Sequence, residues 1–141
     1  MTTTTTGVRT FDQSLETTKE WLQAVQEQMG LDEEQRAFRV MRAVPQTLRD
    51  RLTGEEAAQL AAQLPMLLQG VHYHRWSPTG KRLKIRNRQE FLDKVTKGLM
   101  RQRDPEEACR TVFRMLEEEM PGGVIEDVKR ILPEPIRDLW P

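Results

Sequence analysis

Two stretches of the chain share one apolar pattern at a fixed offset of 68 residues. Residues 42–71 read RAVPQTLRDRLTGEEAAQLAAQLPMLLQGV, and residues 110–139 read RTVFRMLEEEMPGGVIEDVKRILPEPIRDL. The coinciding apolar pairs are Val44 with Val112, Leu48 with Leu116, Leu52 with Met120, Leu60 with Val128, Leu64 with Leu132, Leu68 with Ile136, and Val71 with Leu139. A fixed offset is typical of a duplicated supersecondary unit. The sequence therefore predicts two similar halves.

Both halves have the apolar spacing of amphipathic helices, with recurrences at three, four and seven residues. Helix starts are indicated by the capping box Thr53-x-x-Glu56, by Asn87, and by Asp104 followed by a proline. Pro45 removes an amide donor inside a helical pattern, which predicts a kink or a break near residues 43–44. We predict an all-α fold, with two similar three- to four-helix bundles packed as one domain.

The predicted organisation has four parts. Residues 1–10 form a Thr-rich tail with little to bury, and we expect this tail to be disordered. Copy one spans about 11–73, a basic connector spans 74–88, and copy two spans about 89–141. A chain of 141 residues is long enough for one domain with its own core.

Composition favours a cytoplasmic protein. Cys109 is the only cysteine, so an intramolecular disulfide is impossible, and this fits a reducing compartment. No apolar run approaches the roughly 20 residues that a membrane helix needs. The start, MTTTTTGV, lacks the basic and apolar regions of a signal peptide. We therefore expect no membrane association.

The connector region separates charge in a chain that is neutral as a whole. Between residues 72 and 88 there are six cations and no acid, so the remaining residues carry a net charge of −6. The cations are Arg75, Lys81, Arg82, Lys84, Arg86 and Arg88. They could contact phosphates while Tyr73 and Trp76 stack on bases. Alternatively, they pair with acidic helix faces of this domain or of a partner.

Residues that could carry out chemistry are few and scattered. His72 and His74 are the only histidines, and a zinc site needs three or four ligands. We interpret them as surface or packing residues. Two acids precede Cys109 and disfavour its thiolate, so we interpret this residue as a packing residue or an incidental exposed thiol. We predict no catalytic residue, no metal site and no cofactor.

The span from about Leu15 to Trp140 resembles the bacterial domain-of-unknown-function 2267 family. The resemblance rests on LRDRLTGEEAAQLAAQLPMLLQG at residues 48–70, on Trp76-Ser77-Pro78, and on EFL-x-x-V at residues 90–95. It implies an all-helical protein of the bacterial cytoplasm without an established activity. The family has no agreed catalytic residues, so the resemblance assigns no residue a role.

The predicted function is a non-enzymatic protein-interaction or scaffold module whose partner is another protein or a second copy. Candidate contacts are the connector cations and the aromatic residues Tyr73, Trp76 and Trp140. One alternative is a nucleic-acid-associated protein that uses the connector cations. Another is a small-ligand binder with residues 72–76 lining a cleft between the copies.

Overall fold

The protein is built from α-helices. The computed structural model describes residues 6–77, 84–85, 87–100 and 104–141, and all regular structure in these ranges is helical, which confirms the predicted fold class. The helices are α1 (Arg9–Met29), α2 (Glu34–Arg51), α3 (Gly54–Ala61), α4 (Met66–Tyr73), α5 (Arg88–Leu99), α6 (Pro105–Glu119), α7 (Gly122–Ile131) and α8 (Glu134–Arg137). None of these helices is both long and apolar enough to cross a lipid bilayer.

Local caps set the starts of three helices, as the sequence predicts. The Thr53 hydroxyl accepts a hydrogen bond from the Glu56 amide, and the Glu56 carboxylate accepts one from the Thr53 amide. The Asn87 side chain accepts from the Glu90 amide at 2.8 Å, and Asp104 accepts from the Glu106 amide at 3.0 Å. Each bond satisfies an amide that the first helical turn leaves without a partner.

The first helix begins earlier than the sequence indicates. It starts at Arg9, whereas the predicted tail extends to residue 10. The Thr6 amide donates to the Asp12 carboxylate at 2.7 Å, which holds the chain before the helix against its first turn. Residues 1–5 of the predicted tail lie outside the described residues.

Pro45 does not break α2. The helix runs without interruption from Glu34 to Arg51, and the proline is buried within it. Of the two predicted outcomes, a kink or a break, the break is therefore wrong. An interior proline costs about 3 kcal/mol. Burying a large apolar side chain stabilises by about 1.5–3 kcal/mol. Because Val40, Met41, Val44 and Leu48 are each at most 2% exposed, packing offsets the cost of the proline.

The two halves interlock around one core instead of standing side by side. Helix α2 lies at the centre, in contact with α1, α4, α5 and α6. The most extensive helix contact is between α2 and α5, and α1 packs on α6 while α3 packs on α7. The buried apolar side chains form a single connected cluster. The described helices therefore form one domain.

Helix boundaries recur at the offset found in the sequence. The last residues of α2 and α6 lie 68 positions apart in the sequence. The first residues of α3 and α7 have the same separation, and so do the first residues of α4 and α8. Both members of six of the seven coinciding apolar pairs are buried, and in the seventh pair Val71 is half-buried. These correspondences agree with two similar halves, but duplication of an ancestral unit stays a prediction.

Replacing Met100 with glycine is expected to stabilise the protein by about 0.5–1 kcal/mol. Met100 ends α5 with a φ of 57°, in the left-handed region, where Gly30 ends α1 with a φ of 63°. A side chain is strained there, and the Met100 side chain is 61% exposed, so little packing is lost. Urea unfolding followed by circular dichroism measures the change. Gly30→Ala is the reciprocal control and should destabilise, whereas a less stable Met100→Gly protein would contradict the prediction.

Candidate interaction surface

Side chains of α2 hold the C-terminal end of α4. The Arg49 guanidinium donates through Nη1 to the carbonyls of His72, at 2.8 Å, and His74, at 2.9 Å. The Gln46 amide donates to the Val71 carbonyl at 2.7 Å. These bonds satisfy carbonyls that a helix end leaves without partners. Their effect is to fix α4 against the domain as a rigid surface element.

Arg49 is a structural residue that the sequence interpretation missed. It is 5% exposed, and its Nε also donates to the Asp50 carboxylate at 2.7 Å. The sequence does indicate that Arg49 is buried. Met41, Pro45 and Arg49 are spaced four residues apart and so lie on the same face of a helix. Because the first two are apolar, this line predicts that Arg49 also faces inward.

His72 is a buried neutral histidine. Its side chain is 1% exposed, and Nε2 lies 3.2 Å from the Ala57 carbonyl, which requires Nε2 to carry the proton and donate. The other ring nitrogen, Nδ1, has no partner among the described residues. Burial lowers the pKa of His72 from 6.5 to about 4, and the nearby Arg49 charge also lowers it. The ring is therefore uncharged at neutral pH.

Neither His74 nor Cys109 joins His72 in a reactive group. His74 is exposed, whereas the Cys109 thiol is buried. Burial, together with the neighbouring Glu106 and Asp104 charges, raises the pKa of the Cys109 thiol far above its ordinary value. Within the described ranges, no three His, Cys, Asp or Glu side chains lie close enough together to hold a metal ion.

The three predicted contact aromatics lie in different environments. Tyr73 is 36% exposed, and its ring centroid lies 5.3 Å from that of the half-buried Trp76. Trp140 is 5% exposed and stacks on Phe113, with the centroids 4.2 Å apart and the planes 3° apart. Trp140 is therefore a core residue and is not accessible to a partner in this structure. Tyr73 is the most accessible of the three.

The connector cations do not form one described group. Lys81, Arg82 and Arg86 lie outside the described residues. Arg88 pairs within the domain, since its Nη1 lies 3.7 Å from the Glu106 carboxylate and its Nε donates to the Pro135 carbonyl. Arg75 and Lys84 are exposed. Pairing with the domain's own acids thus accounts for one of the three described cations.

Beside Lys84, the connector is anchored to α2. Ile85 is 6% exposed, and its carbonyl accepts a hydrogen bond from Arg51 Nε at 2.8 Å. This anchor places Lys84 at the rim of a surface depression of about 330 Å³, which Lys94 and Lys97 of α5 also line. A second depression, of about 160 Å³, is lined by the same two α5 lysines and, on the side of α2, by Asp50. Lys84, Lys94 and Lys97 are together called the lysine surface below.

Helix α4 has an outward face without charge. Its sequence, MLLQGVHY, contains no Lys, Arg, Asp or Glu. Met66 is 50% exposed, Leu67 is 44% exposed and Tyr73 is 36% exposed, and Gly70 lies between them. A helix at a protein surface ordinarily presents charged or polar side chains to water. These four residues are called the α4 face.

The first helix, which is tied to α4, also exposes an apolar side chain. The Leu67 amide donates to the Ser14 hydroxyl at 2.8 Å, which ties the start of α4 to α1. The buried side of α1 begins with Ser14 and Thr18. Phe11 lies on the same side, one turn before Ser14, but its side chain is 50% exposed. The inward-facing side of α1 therefore continues, at its N-terminal end, beyond the part of the helix that packs against the rest of the domain.

Comparison with known proteins identifies a family but no activity. Residues 18–139 match the family described as "Uncharacterized conserved protein (DUF2267)". No curated protein matches the sequence. The match covers well over half of the chain and includes all or part of every helix described above. The chain therefore belongs to the DUF2267 family of uncharacterized conserved proteins.

Proposed function

We propose that the protein is a non-enzymatic interaction module of the bacterial cytoplasm, and that it binds the apolar side of a partner protein's helix. The observation that carries the proposal is the α4 face, an exposed helix surface with three large apolar or aromatic side chains and no charge. Contiguous exposed apolar surface is typical of protein-binding sites. Hydrogen bonds from α2 to the end of α4, and from the start of α4 to α1, hold the helix in place before any partner binds.

Gly70 supports a helical partner. A Cβ atom built at this position meets nothing within 4 Å, so the fold of the isolated chain does not require glycine there. Glycine in a helix interior costs about 1 kcal/mol relative to alanine. A residue without a side chain lets a second backbone come close, and an uncharged surface leaves no buried charge unpaired when it is covered. A partner helix with an apolar stripe satisfies both conditions.

The known chemistry of the buried groups supports a role other than catalysis. His72 is neutral and its Nε2 is engaged by a backbone carbonyl, and the Cys109 thiol is fully buried. A nucleophile needs an accessible, activated group with a neighbouring base. The small-ligand alternative has less support, because His72 lines a cavity of about 10 Å³, which is about the size of one water molecule.

Charged substitutions on the α4 face are expected to weaken partner binding at least tenfold. The test compares the wild-type chain with Met66→Glu/Leu67→Glu, first by affinity capture from the native host and then by calorimetric titration of each purified partner. Both side chains are about half exposed, so the fold should tolerate the change. Burying two carboxylates against an apolar helix carries a large desolvation cost.

A matched control keeps the same charge change away from this face. Gln23 and Gln28 are exposed on the distal half of α1, and Gln23→Glu/Gln28→Glu adds two negative charges there. This control should bind partners as the wild type does. Partners that bind the Met66→Glu/Leu67→Glu protein with unchanged affinity would rule out the α4 face as the binding site.

A further inference from the structure

We infer that the lysine surface binds the phosphodiester backbone of a nucleic acid without sequence preference. The inference rests on Lys84, Lys94 and Lys97 and is independent of the α4 face. Lys94 and Lys97 lie one helical turn apart on α5, and both depressions border on them. Lys84 reaches the larger depression from the connector, because Ile85 and Arg51 hold the chain there.

The three ammonium groups are available to an external anion. None of them has an ion-pair or hydrogen-bond partner among the described residues, and all three side chains are exposed. By contrast, Arg88, on the neighbouring turn of the chain, is paired with Glu106. The neutral composition would allow every cation to pair with an acid of the same domain, but the lysine surface does not pair in this way.

Two acids also line the larger depression. Glu90 accepts a hydrogen bond from the Asn87 side-chain amide, and Asp93 accepts one from the Gln89 amide, each at 2.7 Å. Neutral amides therefore satisfy one oxygen of each carboxylate, and the lysines do not pair with them. The described lining of the larger depression therefore has three cations against two anions. Asp50, which lines the smaller depression with Lys94 and Lys97, accepts a hydrogen bond from Arg49.

The charge of the surrounding sequence adds to this local excess. Between residues 81 and 103 the chain has nine Lys or Arg and two acids, whereas the whole chain is neutral. A concentrated positive charge on a neutral protein attracts polyanions at long range, and salt weakens that attraction. The lysine surface lies within the most positive part of the chain.

Nucleic acid fits this surface better than an acidic protein does. Protein interfaces derive most of their affinity from buried aromatic, apolar or Arg anchors. The described lining of the larger depression offers no such anchor, because Ile85 is the one apolar residue in it and is 6% exposed. Binding here would depend on charge alone, and the regularly repeated phosphates of a nucleic acid supply that charge without any anchor. Contacts to phosphates carry no sequence information, which predicts indifference to sequence.

The test is fluorescence anisotropy with a labelled mixed-sequence DNA duplex, from about 25 to 200 mM salt. The variant is Lys84→Ala/Lys94→Ala/Lys97→Ala. The matched control, Arg9→Ala/Lys19→Ala/Arg114→Ala, removes the same charge from exposed positions on α1 and α6. Wild type and control are expected to bind the duplex at low salt. The variant should bind at least tenfold more weakly, and its plot of log K against log salt should be shallower by about 2.7, for three phosphate contacts.

Three outcomes would overturn the inference. One is no binding of the duplex by the wild type at the lowest salt, and another is equal loss of binding in the variant and the control. The third is displacement of the duplex by polyglutamate at equal charge concentration, since this would identify acidic protein as the better partner. Unchanged melting temperatures of the variant and control establish that loss of binding does not reflect unfolding.

Discussion

Lowering the pH from 7 to 4 is expected to reduce the free energy of unfolding by about 3 kcal/mol through His72 alone. In the unfolded chain this histidine takes up a proton near its ordinary pKa of 6.5, whereas in the folded protein its pKa is about 4. Between these values the unfolded state binds more protons, so stability rises with pH. The contribution is complete above pH 6.5 and is lost as the pH falls toward 4.

The physical reason is the position of the ring nitrogens. Nε2 donates to the Ala57 carbonyl, so a second proton must go to Nδ1, which has no partner among the described residues. Protonation there would place a charge in the core close to the Arg49 guanidinium, and the neighbouring Asp50 carboxylate offsets this only in part. The desolvation cost of the charge is what lowers the pKa.

Urea unfolding of three proteins at pH 7, 6, 5 and 4 isolates the effect. Carboxylates titrate in the same range, so the quantity of interest is the difference between the wild type and His72→Leu. His72→Leu should be less stable at pH 7, because it loses the bond to Ala57, and that difference should shrink steadily as the pH falls. His74→Gln, which changes an exposed histidine, should follow the wild type. Parallel curves for the wild type and His72→Leu would show that His72 does not carry the pH dependence.

Gly98→Ala is expected to destabilise the protein by about 2 kcal/mol, although alanine is the better helix former. A Cβ atom at Gly98 would lie 2.6 Å from the Ala43 Cβ and 3.3 Å from the Ala43 Cα. Neither atom can move by a side-chain rotation. The substitution must therefore push α5 away from α2, and this is the most extensive helix contact of the domain.

The measurement is thermal and urea unfolding, with a drop of about 6 °C in Tm expected. Gly70→Ala is the matched control, because the added Cβ meets nothing within 4 Å and should stabilise by up to about 1 kcal/mol. Adding Ala43→Gly to Gly98→Ala should recover at least half of the lost stability, since it removes the nearer clashing atom. A Gly98→Ala protein as stable as the wild type would mean that the two helices are not this close.

Helix positions were largely predictable because their signals are local. The Thr53 box, the Asn87 cap and the Asp104 cap involve residues two or three apart, and the structure contains each of them. Pro45 is the instructive exception. The local rule predicts a kink or a break there, but burial of α2 on several sides keeps the helix continuous.

The candidate surfaces were less predictable because they depend on distant residues. The cations of the connector lie close together in the sequence, but Arg88 pairs with Glu106, and Lys84 lies beside two lysines of α5. Trp140 is a candidate partner contact in the sequence, but it stacks on Phe113 and is buried. Neither outcome follows from spacing along the chain, since each requires knowing which helices pack together.

The sequence by itself determined that the chain is helical, where most helices start and stop, and which apolar positions recur at the offset of 68 residues. These properties depend on periodicity and caps, which act within a few residues. Tertiary structure alone decided that Arg49 reaches the end of α4, that His72 is buried without charge, and that the α4 face is left uncovered. Those outcomes depend on contacts across 15 to 53 residues of chain, which form only when the helices pack around one core.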